Sequence, residues 1–137
     1  MRVNYCLYVL GAIILSIGIT MLFPLGFSIY YSDGGLLPLA ISAGITMALG
    51  IVLLLVFKRP QKVTLNHREG LAIVAFAWLV AGLAGSLPFY LYGGPFSQYV
   101  NAAFESISGF STTGSSILSD IEALPRGILV WRSLTHW

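Results

Sequence analysis

Charge is what this sequence has least of. Only 9% of its 137 residues are charged, while 57% are hydrophobic. A soluble domain carries about 25% charged residues. The deficit excludes a water-soluble fold and defines the class as integral membrane protein. The few Lys and Arg form no basic face, which excludes nucleic-acid binding. The single cysteine, Cys6, cannot form an intrachain disulfide. It precedes an apolar run instead of following one, so it reads as an apolar helix residue and not as a lipidation site. That run is too long for a secretory signal, and no small-residue cleavage site closes it. His67 has no second ligand nearby with which to hold a metal. Ser111 and Ser115 have only the distant His67 and His136 as possible bases, and no acidic pair shares a helix face, which argues against a hydrolase or any other enzyme.

Long apolar runs are what is present. Residues 5–31 carry no charge and are long enough to cross a bilayer with tilt. Pro24 near their end should free the Thr20 carbonyl and kink the last turn. Asp33-Gly34-Gly35 reads as a turn, and Pro38 fits the first turn of the next helix. The second run covers 36–57, with Ala40, Gly44 and Ala48 spaced by four for close helix approach. A basic cluster follows, and Arg2, Lys58, Arg59, Lys62 and Arg68 make up five of the seven Lys and Arg. The positive-inside rule therefore puts the N-terminus and this cluster in the cytoplasm, with the Asp33 turn outside. Asn66 and Glu69 have the spacing of a capping box. The third run, 71–92, carries Ala77, Ala81 and Gly85 as a small-residue face and Pro88 near its outer end.

The next stretch differs. Residues 98–110 can rise only about 20 Å as a helix, too little to cross. They are amphipathic, with Val100, Ala103, Phe104, Ile107 and Phe110 set against Asn101, Glu105 and Ser108. Ser111-Thr112-Thr113-Gly114-Ser115-Ser116 follows at once. This pattern predicts a re-entrant half-helix and a polar loop. Backbone at membrane depth must be buried in protein or face water, so the loop either lines an ion path or packs between helices. In the first case Gly114 supplies the turn that aligned carbonyls need, and the stiff Thr112 and Thr113 suit an extended strand. Their hydroxyls would then satisfy backbone groups behind it. The half-helix would point its partly negative end at a cation. Glu105 has two readings, attracting cations or hydrogen-bonding backbone or a polar neighbour behind the loop, and the second is favoured because an unpaired buried charge is costly. In the second case the chain is a non-catalytic assembly subunit. Arg132, His136 and Trp137 look like the interfacial start of a further helix, and the chain reads as part of a longer protein.

The run Phe104-Glu105-Ser106-Ile107-Ser108-Gly109-Phe110-Ser111-Thr112-Thr113-Gly114 resembles the Trk/Ktr potassium-uptake superfamily, and its bacterial TrkH-type members most closely. So do His67-Arg68-Glu69-Gly70, Leu124-Pro125-Arg126 and Trp131-Arg132-Ser133-Leu134-Thr135-His136-Trp137. The resemblance covers the whole chain. It implies an all-α integral membrane protein: three transmembrane helices, a re-entrant pore half-helix and a filter loop. These would be the first part of a fourfold helix–pore-loop–helix fold. Residues 1–66 would be two accessory transmembrane helices, and 67–137 a first repeat incomplete at its second helix. The backbone carbonyls of Thr112, Thr113 and Gly114 would coordinate potassium. Potassium would be the transported substrate, with no cofactor. The resemblance further implies a multi-pass protein of the bacterial inner membrane, a homodimer, and a cytoplasmic nucleotide-binding regulatory subunit.

Overall fold

The computed structural model describes residues 3–57 and 66–137. Every regular element among them is helical. The order is α1 (Val3–Thr20), α2 (Leu22–Tyr31), α3 (Leu36–Val56), α4 (His67–Gly85), α5 (Leu87–Tyr92), α6 (Tyr99–Phe110) and α7 (Arg126–Thr135), with a short 3-10 turn at Gly94–Phe96 before α6. Three stretches are long and apolar enough to cross a membrane: Val3–Tyr31, Leu36–Val56 and His67–Tyr92. Arg2, Lys58, Arg59 and Lys62, on which the orientation expectation leans, lie outside the described residues.

Two of the three spanning stretches are interrupted for the same reason. Pro24 and Pro88 lack the N–H that would bond the carbonyl four residues back. The helix accordingly turns at Met21, between α1 and α2, and at Ser86, between α4 and α5. Neighbouring helices cover both breaks, and Pro24 and Pro88 are fully buried. At the second break the Gly85 carbonyl accepts the Trp131 indole N–H from α7 at 2.9 Å. The Ser86 hydroxyl donates back to the Leu83 carbonyl at 2.7 Å.

α1 packs mainly on α3, and glycine sets how closely. A Cβ on Gly11 would lie 2.6 Å from Leu53 Cβ, one on Gly18 2.7 Å from Met47 Cγ, and one on Gly50 2.7 Å from the Leu15 backbone nitrogen. This is not the face expected from spacing. Ala40, Gly44 and Ala48 are exposed, and a Cβ on Gly44 would meet nothing within 4 Å. The packed face of α3 is Leu39, Ser42, Ala43, Thr46 and Gly50. Its hydroxyls are satisfied within the helix, Ser42 donating to the Pro38 carbonyl at 2.6 Å. The two glycines of α3 should therefore respond oppositely to substitution. Gly50→Ala is expected to cost about 1–3 kcal/mol through overpacking. Gly44→Ala should be neutral or stabilise by up to about 1 kcal/mol, because alanine favours helix. Thermal melts of the two variants in detergent check this, and equal shifts would refute the packing assignment.

The small-residue face expected on α4 comprises Ala77, Ala81 and Gly85. Gly85 is buried against Phe110 and Ser106, and Gly82, one turn away, receives Ile107. Ala77 and Ala81 are half-buried. Asn66 does sit at the start of α4 with extended backbone, but its side chain makes no capping bond. The core gathers Ile17, Met21, Leu39, Phe89, Phe96, Ala102, Ile128 and Trp131 around α6 and α7. It is this cluster that seats the half-helix.

Candidate functional site

α6 is amphipathic in the reverse sense. Its buried residues are Ala102, Glu105, Ser106, Ser108 and Gly109. Val100 and Phe104 face outward, Val100 at 74% exposure, while Ile107 is part exposed and part packed on Gly82. A short helix with a polar inner face is built to hold something polar behind it, and here that is the loop 111–116.

The loop folds back on the end of α6 through its own N–H groups. Ser111 N–H donates to the Ile107 carbonyl at 2.9 Å and Thr112 N–H to Gly109 at 2.8 Å. Thr113 and Gly114 both donate to the Ser108 carbonyl, at 3.0 and 3.3 Å. Four successive N–H groups of the loop are thus bonded to carbonyls of α6. Among the described residues nothing donates to the carbonyls of Thr112, Thr113 or Gly114, and all three residues are exposed. The backbone carries the mark of this arrangement. Thr112 has φ +55° and Gly114 φ +75°, with Thr113 between them not in the left-handed region.

Thr112 thus departs from the extended strand expected of it. A β-branched residue at positive φ is an outlier that persists only where its surroundings dictate it. The two bonds flanking it, from its own N–H and from Thr113, supply that constraint. The fasteners behind the loop are also not the threonine hydroxyls. Thr113 Oγ1 pairs with Ser111 Oγ at 2.8 Å, both exposed. The Ser108 hydroxyl instead donates to the Ser115 carbonyl at 2.6 Å.

Glu105 anchors the far end. It is fully buried, and its carboxylate accepts the Ser116 hydroxyl at 2.9 and 3.0 Å and the Ile117 N–H at 3.2 Å. The sequence pointed to such polar partners. It did not reveal Arg132, whose Nε donates to Glu105 Oε1 at 2.7 Å from α7. Arg132 is therefore no interfacial anchor: it is the counter-charge that lets a carboxylate sit behind the loop. Gly109 brings the two helices together, since a Cβ there would lie 2.5 Å from Thr135 Oγ1. Phe110 meets Trp131 edge-on, ring centroids 6.5 Å apart.

Spanning helices with a half-helix that presents a carbonyl-bearing loop define a membrane transport protein with a channel-like fold. The chain belongs to the TrkH family of cation transport proteins, whose sequence profile matches residues 39–137. It is 34% identical over 137 residues to the Trk system potassium uptake protein TrkH of Halomonas elongata, covering 100% of this chain and 28% of that protein. An uncharacterized cation transporter of Methanocaldococcus jannaschii is 39% identical over 131 residues, covering 96% and 27%. The crystal structure of the potassium transporter TrkH from Vibrio parahaemolyticus superposes with a TM-score of 0.91 at 30% identity, over 98% of this chain and 29% of that one. The chain thus spans a little over a quarter of the length of these relatives. A family of cation transporters leaves the hydrolase reading of Ser111 and Ser115 without support.

Proposed function

We propose that this chain contributes one strand of a potassium-selective filter to a potassium-uptake protein of the bacterial inner membrane. The carbonyls of Thr112, Thr113 and Gly114 replace part of the ion's hydration shell. The observation that carries this reading is the loop backbone: N–H groups folded onto α6, carbonyls left over, and positive φ at Thr112 and Gly114. The bonds from the loop to the α6 carbonyls relay the helix's negative end toward the ion, which favours a cation.

One strand is a quarter of a ring, so conduction needs three equivalents. Residues 1–66 act as the accessory helices and 67–137 as the start of the first repeat. The N-terminus is cytoplasmic. Resemblance to Trk systems supports a homodimer and a cytoplasmic nucleotide-binding regulatory subunit as partners.

Gly114→Ala tests the filter directly. A Cβ there would meet nothing within 4 Å among the described residues, while the φ of +75° strains any non-glycine residue. A left-handed conformation costs a non-glycine residue about 1–2 kcal/mol, enough to turn the peptide away. The variant, carried in the complete product of its gene, is expected not to rescue an uptake-deficient strain in low potassium. Rescue at wild-type rate would show the assignment to be wrong.

A further inference from the structure

α7 starts after Pro125, whose side chain offers no acceptor for the free N–H groups of the first turn. The acceptor comes from 94 residues earlier, where Asp33 Oδ2 takes the Gly127 N–H at 3.0 Å. Asp33 Oδ1 accepts the Gly35 N–H at 3.0 Å and the Ser28 hydroxyl. One carboxylate therefore ties the end of α2, the start of α3 and the first turn of α7. Burial alone would raise its pKa. The bonds from Ser28, Gly127 and Gly35, with a smaller share from the Arg126 amide, hold it below the usual carboxylate value.

Two further contacts close the same joint. Gly127 lies so near α2 and α3 that a Cβ would be 2.7 Å from Ser28 Cβ and 2.9 Å from Leu39 Cδ1. The Arg126 guanidinium lies over the Tyr31 ring, 4.3 Å from its centroid. Arg132 sits on the same helix five residues after Gly127, about 7.5 Å further along the axis, so a shift or rotation of the first turn is carried to it. Arg132 grips Glu105 at 2.7 Å, and Glu105 holds Ser116 and Ile117.

The geometry points to Asp33 as a positioning residue for ion selectivity. It fixes the setting of α7 and, through Arg132 and Glu105, the place of the loop carbonyls. It touches neither the loop nor the ion. The inference rests on reading residues 112–114 as a filter strand. It also explains what the first two spanning stretches do, since they form the abutment against which the filter is set.

The test measures potassium and sodium uptake separately, in proteoliposomes holding the complete gene product. Asp33→Ala is expected to lower potassium-over-sodium discrimination by about tenfold. Gly127→Ala, which wedges the joint open with the carboxylate intact, should lower it in the same direction. Asp33→Asn keeps the shape and one good acceptor, and serves if the alanine variant does not assemble; about a threefold loss is expected. A role in folding alone would reduce the amount of protein and leave the ratio untouched. An unchanged ratio in Asp33→Asn and Gly127→Ala overturns the proposal. Gly114→Ala in the same assay separates the two readings. If it keeps normal discrimination, the filter assignment has failed; if it loses discrimination and the joint variants do not, only the positioning role has.

Discussion

Arg132→Ala is expected to destabilise the protein by about 3–5 kcal/mol, the cost of leaving a buried charge without its partner. The carboxylate of Glu105 is wholly buried, so it cannot reach water when the guanidinium is removed. The Ser116 hydroxyl and Ile117 N–H remain as donors, but two neutral donors do not replace a cation at 2.7 Å. Glu105→Ala should cost somewhat less stability, because Arg132 is 15% exposed and its head can move toward water. Its effect on transport should be larger, since it frees Ser116 and Ile117 from their anchor. The double variant Glu105→Gln/Arg132→Met should recover part of either loss, as buried ion pairs replaced whole are tolerated better than pairs cut in half. Thermal melts in detergent of the parent protein, Glu105→Gln, Arg132→Met and this double variant close the cycle that decides the matter. Strictly additive losses would mean the two side chains do not act as a unit.

The second large effect is expected from Gly109→Ala. The added Cβ would lie 2.5 Å from Thr135 Oγ1, 2.9 Å from Thr135 Cβ and 3.1 Å from His136 Cε1. Part of what it meets is Cβ, which moves only with its backbone, so α6 and α7 must separate. Overpacking of this sort costs about 1–3 kcal/mol. The same displacement stretches the Glu105–Arg132 bond, because that pair joins the same two helices. Uptake should therefore fall further than the change in stability accounts for. Removing the obstructing side chain with Thr135→Gly in the same molecule should restore both in part. If Gly109→Ala melts and transports like the parent protein, the close approach of the two helices is not needed.

The spanning stretches were legible because length and hydropathy decide them almost alone. Their breaks followed from Pro24 and Pro88, which act through the backbone and need no tertiary knowledge. The half-helix was legible from its length, but its orientation was not. An amphipathic pattern says which residues share a face and leaves open which face is inside; for α6 the polar one is. The same ambiguity applies to α3. Ala40, Gly44 and Ala48 make a smooth face, yet the partner α1 lies on the side of Gly50. Gly11 and Gly18 on α1, two helical turns apart, were the overlooked signal. Within the loop, Gly114 was marked by residue type, while the positive φ of Thr112 was not, because it is imposed by bonds to α6. Arg132 could have been paired with Glu105 from sequence by asking where an isolated charge near the membrane finds its opposite. Asp33 reads locally as a turn residue, and nothing local announces a partner 94 positions on.

The reversed face of α6 also bears on how the chain is made. Glu105 leaves the ribosome 27 residues ahead of Arg132. At roughly 5–20 residues per second, that is on the order of one to five seconds of synthesis. Throughout that interval the half-helix has an acidic inner face and no cation to meet it, so its final seat in the bilayer does not yet exist. Insertion of this hairpin is thereby ordered in time: α7 must arrive before α6 can settle. The ion pair behind the loop, which holds this unit together, cannot form before α7 has been made.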